Sequence, residues 1–516
     1  MSTVKANSTN VILEELIEGL VSIPENYRAA VRIAVTGIKM DSRLLTKGDV
    51  FIACFGQHHD ARDYIDSAIQ SEVSAVLAES NEDWQGVNLK QGVPVIAIDN
   101  LRKKISEIAS RFYGDPSSDM ELIGITGTNG KTSCSHFIAQ VLNATGEKCA
   151  VIGTLGYGAQ NNLQDTTHTT PDAVFTQRAL AELKEQLFGS VVMEVSSVGL
   201  HQHRVAAVKF DVAVFTNLSR EHLDYHYNME AYANSKRKLF AVAGLRAAIV
   251  NLDDSYALSM LDGTPRGTKV LTYSLSNAAA SVYTSSLIMD RHGFAAEVTT
   301  PHGKGNIRCK LFGYFNVSNV LATIVTLIDE AETRGRLNLQ KILESISNLS
   351  PVMGRMEIVG SSDEITAIVD YAHTPDALKS ALGAARDHFD GDIWCVFGCG
   401  GNRDMGKRPL MGEVAEKLAS KLIVTDDNPR NENGEDIVQQ ILHGIDNQDK
   451  VSVIRDRAKA INYAISNARK GDIVLVAGKG HENYQDVGGD RTVFSDANHV
   501  RLALQQRSRD AKNSRS

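Results

Sequence analysis

Residues 121–142, ELIGITGTNGKTSCSHFIAQVL, put an apolar run ahead of Gly127-Thr128-Asn129-Gly130-Lys131-Thr132 and a helical pattern directly after it. Glycines let such a loop turn tightly and aim its N–H groups at phosphate oxygens. The helix N-terminus adds partial positive charge, Lys131 reaches the outer phosphates, and the Thr132 hydroxyl can bind Mg²⁺. The pattern departs from G-x-x-x-x-G-K-[ST] at its first position, where Ile125 stands. The strand–loop–helix context favours nucleotide phosphate binding over a chance glycine turn.

Polar groups at other strand ends extend this reading, because open α/β sheets bind ligands beyond the carboxyl ends of their strands. Glu194 closes VVMEVSS, and Asn217 closes VAVFTN just before LSREHLDYH. A carboxylate from Glu194 and an imidazole from His222 can hold a divalent cation against the phosphates. Further on, KLIVTDDNPRNENGED places Asp427, Asn428, Pro429 and Arg430 on one stiff turn after a strand. An acid, an amide and a guanidinium so close together suit a ligand that carries both an ammonium and a carboxylate. A plain proline turn explains Pro429 but neither Asp427 nor Arg430.

Two tempting motifs fail on inspection. HLDYH spaces His222 and His226 like a zinc protease, but Leu223 stands where that motif needs Glu. FGCGGNRDMGKRP offers Gly398 and Gly400 to a dinucleotide, but Arg403 occupies the third glycine position. Cys395 and Cys399 have no histidine at zinc-finger spacing.

Taken in order, GITGTNGKT, HTTPD, EVSSVGLHQHR, FTNLSREHLDYH, YANSKRKLF, GYFNVSNVLA, PVMGRME, DYAHTPDAL, GCGGNRDMGKRP, TDDNPR and AGKGHENYQ resemble the Mur ligases across residues 41–485. These are ATP-dependent enzymes that build the peptide stem of the cell-wall precursor. The resemblance is closest to the member that adds the third residue, meso-2,6-diaminopimelate, to UDP-N-acetylmuramoyl-L-alanyl-D-glutamate. It implies ATP and Mg²⁺ as cofactors and an acyl-phosphate route to the amide. Catalytic roles then fall to Lys131, Glu194, His222 and Lys236, and the phosphates to residues 127–132. Asn316 and Arg355 match nucleotide contacts and Asp370 a ribose ligand. Ser42, Thr169, Thr170, Ser196, Gln202 and Arg204 match positions that hold the UDP-sugar-dipeptide, although Ser and Thr pairs of this kind also serve ordinary turns and caps. Arg403, Asp427, Asn428, Arg430, Gly478 and Glu482 match contacts to the amino acid. Arg430 would grip its far carboxylate, Asp427 and Glu482 its ammonium, and Asn428 either. Lys236 matches the lysine that the family carries as a carbamate, a fourth metal ligand beside Thr132, Glu194 and His222. Read from its neighbours Arg237 and Lys238 alone, Lys236 belongs to a solvated basic face. A ligase adding L-lysine, a relative adding glutamate to folates, and a non-catalytic nucleotide-binding module are the competing readings.

The elements that must position these residues follow from the pattern of the whole chain. At 516 residues it is too long for one ordinary core. Three α/β segments are expected: residues 1–118 as a uridine-nucleotide holder, 119–350 as a central phosphate-loop ATPase domain on a parallel or mixed sheet, and 351–516 as a Rossmann-like amino-acid domain. Strands are expected within DVFIACFG, SAVLAES, VPVIAID, SVVMEVSS, FDVAVFTNL, LRAAIVNLD, ITAIVDYA, DIWCVFG, KLIVTDD and DIVLVAGKG. The polar segment RSRDAKNSRS reads as disordered. With 43% hydrophobic and 22% charged residues the composition is that of a soluble globular protein. A formal charge of -8 without a Lys/Arg block argues against nucleic acid. The first residues lack a signal-peptide core and no run is long enough to span a bilayer. Six cysteines without a CxxC pair suit reduced thiols. A cytoplasmic monomer without membrane insertion is the expectation.

Overall fold

Runs that are apolar on both faces become central parallel strands, and the amphipathic stretches between them become the helices that cover the sheet. The computed structural model describes residues 11–56, 59–335, 338–361 and 364–513. Within them the chain forms a three-domain α/β architecture, one domain around each of three large sheets.

The first sheet runs in the order Gly37–Lys39, Asp49–Ala53, Ala75–Glu79, Val93–Ile98, Val87–Lys90, parallel except for the last pair. The central sheet has eleven strands. Its strand Glu121–Thr126 lies between Ser190–Glu194 and Val212–Phe215, all parallel and all buried throughout. Their carboxyl ends therefore share one edge, and the phosphate loop leaves from the middle of it. Helices Lys131–Ala144 and Tyr314–Arg334 cover one face, with Phe137, Ile138, Leu321 and Val325 in the core. Tyr232, Leu239 and Phe240 fill the other face. The third sheet orders Glu357–Ser361, Thr366–Asp370, Ile473–Ala477, Ile393–Phe397, Lys421–Val424 and Val451–Val453, with only the first pair antiparallel.

The structure adds elements that the sequence reading leaves out. Both ends of the central sheet are antiparallel: the hairpin Gly156–Ala159 with Asn162–Gln164 at one end, and Val282–Asp290, Gly293–Thr300 and Gly303–Cys309 at the other. Apart from the short, mostly buried Gly156–Ala159, these strands mix buried and exposed positions, a weaker pattern than a fully buried run. The latter extension also joins the central domain to the third. His388, the last residue of helix Pro375–His388, is buried; its Nδ1 donates to Asp290 O (2.6 Å) and its Nε2 accepts from Gly313 N (2.9 Å). Phe312 stacks on Phe389 beside it.

The expectation of a disordered polar tail is corrected. Helix Asp496–Asn513 continues through most of that segment, and residues 514–516 lie outside the described residues. The helix is tied back at several points. Arg507 Nη1 donates to Ile465 O (2.6 Å), and Val500 and Ala503 enter the core over the third sheet. At its start Arg457 and Asp496 are both fully buried and paired twice, Nε to Oδ1 at 2.7 Å and Nη2 to Oδ2 at 2.8 Å. Composition alone misses such anchoring. Asp496→Ala would strand the Arg457 guanidinium inside the fold, which costs about 3–5 kcal/mol. Urea unfolding followed through Trp394, on a strand of this sheet, should show that loss. A shift under about 1 kcal/mol would mean that Arg457 finds other partners.

Candidate functional site

The loop after Glu121–Thr126 ends on Gly130, whose φ of +87° a side-chain-bearing residue rarely adopts; a Cβ there would also run into Asn319 Oδ1. Helix Lys131–Ala144 starts at this glycine with no side-chain cap, so its first N–H groups are left for an anion. Lys131 Nζ arches over the loop and donates to Gly127 O (2.9 Å) and Thr128 O (2.7 Å). Asn129 N is held by Asn217 Oδ1 at 2.9 Å, so the strand-end asparagine shapes the loop. Thr132 Oγ1 donates to Glu194 Oε2 (2.9 Å), bringing together two of the expected metal ligands.

Thr154, which the sequence reading passes over, fixes that carboxylate: its N–H donates to Glu194 Oε1 (2.9 Å) and its hydroxyl to Oε2 (3.1 Å). Gly153 leaves room for it, since a Cβ there would collide with Glu194.

Lys236 is not on a solvated face. It is 1% exposed, donates to Gly127 O at 2.7 Å and lies 4.4 Å from the centre of the Tyr232 ring. Burial, reinforced by the charge of Lys131, holds its amine well below the usual lysine range. The sequence did carry a signal: Tyr232, Ala233, Leu239 and Phe240 form a helical apolar stripe, and Lys236 sits on it.

The third domain closes the cleft from the other side. Arg355 Nη2 donates to Thr132 Oγ1 (3.2 Å), its guanidinium lies over Tyr371 (4.4 Å), and its buried Nε has no partner among the described residues. Asp370 ends its strand buried, accepting from Met356 N (2.7 Å), and burial raises its carboxyl against the pull of Arg355. His373 Nε2 meets Glu221 Oε1 at 3.2 Å across the two domains, while His222 Nε2 lies 3.8 Å from Glu221 Oε2. Burial pushes the Glu221 carboxyl upward, but His222, His373 and Lys131 together carry it below the ordinary range. Burial lowers His222 as well. The cleft so formed has a volume of about 390 Å³, and Tyr314, Phe315 and Asn319 line it as well. Asn316 points elsewhere. It is buried, donates to Phe312 O (2.9 Å) and accepts from Asn319, while Gly313 holds the helix N-cap.

Beyond Glu194 the chain reaches the residues expected to hold the UDP-sugar-dipeptide. Thr169 lines the cleft and shares a hydrogen bond with Thr154 (3.0 Å). The Thr170 hydroxyl is spent inside the protein, donating to Glu194 O and accepting from Ser196 N. Ser196 also lines the cleft and caps helix Ser197–His201. Gln202 Oε1 accepts twice from Arg204, whose Nη1 donates to Thr170 O (2.7 Å). Ser42 begins a short 3₁₀ turn in the first domain, away from this cleft.

A second cluster surrounds the turn of residues 427–430. Asp427 and Asn428 are buried. Gly478, at φ +116°, lets Asp427 Oδ2 approach where a Cβ would stand. Glu482 Oε2 accepts from Asn428 Nδ2 (2.8 Å) and Lys479 Nζ (2.9 Å). Arg430 is half-buried, on a left-handed backbone at φ +51°, with Nη1 donating to Gly401 O at 2.8 Å. Arg403 is exposed, and its guanidinium donates to Asn402 O (3.3 Å).

Comparison with known proteins agrees along the chain. Three family domains match in order: the Mur ligase family catalytic domain over residues 34–113, the Mur ligase middle domain over 125–327, and the Mur ligase glutamate ligase domain over 354–480. A relative from Coxiella burnetii named UDP-N-acetylmuramoyl-L-alanyl-D-glutamate–2,6-diaminopimelate ligase is 45% identical over 93% of this chain and 98% of its own. One of the same name from Pseudomonas aeruginosa is 44% identical over 92% and 95%. A solved structure described by that name superposes with a TM-score of 0.70 at 35% identity, covering 97% of this chain and all of its own.

Because Lys131 starts the helix behind the loop and spans two of its carbonyls, Lys131→Ala should cut turnover by on the order of 10²–10³-fold. Circular dichroism should show the fold retained, since the strand and helix flanking the loop are buried independently of that side chain. Near-normal turnover in the folded variant would sink the phosphate-loop assignment.

Proposed function

Since the chain belongs to the Mur ligase family, we propose that it joins meso-2,6-diaminopimelate to the D-glutamate of UDP-N-acetylmuramoyl-L-alanyl-D-glutamate at the expense of ATP. The observation that carries this reading is the turn of residues 427–430, on which Asn428 is bound to Glu482 between the acid Asp427 and the guanidinium-bearing Arg430, within a chain 45% identical to a ligase of that name. The domain limits taken with it are residues 118/119 and 350/351. A cytoplasmic monomer fits a chain in which no described helix is long and apolar enough to cross a membrane.

Amide formation needs the carboxylate oxygen turned into a leaving group. Transfer of the γ-phosphoryl of ATP makes the acyl phosphate, which the incoming amine attacks; a tetrahedral intermediate then collapses to amide and phosphate. Because the groups that meet in the first step are anionic, the protein acts by positioning and charge neutralisation. Lys131 and the free N–H groups at the start of its helix face the phosphates. The unpartnered Nε of Arg355 gives that guanidinium a donor to spare for a nucleotide bound against Tyr371. Asp370 would take a ribose hydroxyl, and Thr169 and Ser196, which line the cleft, would hold the UDP-sugar-dipeptide whose carboxylate accepts the phosphoryl group.

Mg²⁺ fits the donor set. Among the described residues no three His, Cys, Asp or Glu side chains group tightly enough to enclose an ion, and Mg²⁺ is ordinarily held by one or two carboxylates, phosphates and water. Thr132 and Glu194 would hold it, with His222 and a carbamate on Lys236 serving a second ion; bound there, the metal supplies charge neutralisation for the transferring phosphoryl group. The buried, readily neutral amine of Lys236 is the form that adds CO₂, and an unmodified ammonium at that depth would be costly.

Two measurements test this reading. Lys236→Ala should still bind ATP but turn over barely at all, and labelled CO₂ should be trapped on the wild-type protein at Lys236; retained activity in the variant excludes the carbamate. With UDP-sugar-dipeptide, ATP and Mg²⁺, phosphate release should be far faster with meso-diaminopimelate than with L-lysine. As Arg430 is only half-buried, the preference is set at on the order of 10²–10³ in kcat/KM. Arg430→Ala should lose diaminopimelate turnover mainly through KM, because the guanidinium grips the end away from the reacting amine. A ratio near one in the wild type, or unmoved by the substitution, removes the substrate assignment.

A further inference from the structure

Lys479 lies in AGKGHE between two residues already matched to the amino acid, and it is fully buried. A buried lysine is costly unless its ammonium is well partnered. Here Nζ donates to Asn428 Oδ1 (2.9 Å) and Glu482 Oε2 (2.9 Å) and lies 5.4 Å from the centre of the Tyr484 ring. Asn428 Oδ1 takes a second donor, Asp486 N at 3.0 Å, and Asn428 Nδ2 donates to Glu482 Oε2 at 2.8 Å. Two donors on the oxygen and an acceptor on the nitrogen allow one orientation of that amide. With Asn428 only 1% exposed, the group that this arrangement presents is Glu482. Its Oε2 is occupied from below by Asn428 and Lys479, leaving Oε1 for a ligand ammonium.

The charges around the turn give the arrangement a consequence. Arg457 is paired with Asp496, Arg455 with Asp426, and Arg491 lies 3.6 Å from Asp486. Setting aside those balanced pairs, the Arg408–Glu432 pair and the solvent-exposed Arg403 leaves Asp427 and Glu482 against Arg430 and Lys479. The pocket is therefore neutral, and a neutral pocket suits a ligand end that carries one ammonium and one carboxylate. Without Lys479 it would carry one net negative charge, which suits an end bearing an ammonium alone.

We propose that Lys479 is a positioning residue for amino-acid selection: it fixes Asn428 and Glu482 and sets the pocket to zero net charge, so that a zwitterionic end is preferred over a cationic one. This rests on the substrate reading above, and wild-type turnover of meso-diaminopimelate tests that reading by itself. Where the wild type uses meso-diaminopimelate, Lys479→Met should lower the kcat/KM ratio of meso-diaminopimelate to L-lysine at least tenfold. The loss should lie mostly in the KM for meso-diaminopimelate, with the KM for ATP unmoved. Lys479→Arg, which keeps the charge, should retain more of the ratio. Asn428→Asp keeps Lys479 partnered and also adds one negative charge, so it should shift the ratio the same way even if Lys479→Met fails to fold. Equal losses for both amino acids would reduce Lys479 to a structural residue. An unchanged ratio in the folded Lys479→Met and Asn428→Asp proteins would overturn the proposal while leaving the substrate assignment standing.

Discussion

Two lysine side chains, Lys131 and Lys236, donate to the single carbonyl oxygen of Gly127, at 2.9 and 2.7 Å. One carbonyl cannot balance two ammonium groups in a buried setting, and each lysine is held below its ordinary range, first by burial. The local field therefore favours added negative charge on either side of the loop. On the outer side that charge is a nucleotide's phosphates. On the inner side a carbamate on Lys236 would exchange a strained ammonium for an anion. Glu194 and Glu221 offset part of that charge, Glu221 at both lysines and Glu194 at Lys131, but burial outweighs them. Much else in the central domain serves to hold Gly127 where both amines reach it.

That constraint reaches the third domain through few contacts. Arg355 touches Thr132, His373 touches Glu221, and His388 grips the segment that starts helix Tyr314–Arg334. The first two lie inside the cleft and the last at its back, against Asp290 and Gly313. A ligand bound between the domains would add to the cleft contacts, whereas the His388 contact lies outside its reach. The nucleotide cleft is thus a shared surface, and its shape depends on how the third domain is seated.

Legibility in the sequence followed the range of the interactions. The phosphate loop, its strand and its helix are contiguous, so glycine spacing and apolar pattern were enough to place them. The strands named from apolar runs all formed, because burial on both faces leaves a dense local signal. Glu221 and His373 meet across 152 positions, and nothing near either residue announces the other. Lys236 misled for a different reason: its immediate neighbours are basic, while its partners at i−4 and i−3 are core residues. The helical stripe was visible, but a charged residue on it argues against itself until a function for a buried amine is supplied. The same holds for the final helix, where polar composition concealed a tether by Arg507 and a buried ion pair at Asp496.

The two clusters differ in the physics that they use, and the difference matches what each must do. At the phosphate loop the ligand-facing groups are free N–H donors and a lysine whose hydrogen bonds among the described residues go to carbonyls of its own loop, groups that a phosphate outcompetes because it carries full charge. Such a site can follow a group as it moves from donor to acceptor. Around residues 427–430 the polar side chains that meet at Glu482 are bound to one another. Asn428, Lys479 and Glu482 share a closed set of hydrogen bonds, with Gln485 Nε2 donating to Asp427 O at 2.8 Å beneath them. A ligand there meets an arrangement fixed in advance, so a wrong partner leaves a charge unmatched instead of prompting rearrangement. Transfer needs donors that can be released, and selection needs donors that cannot; placing them on separate domains lets one chain hold both.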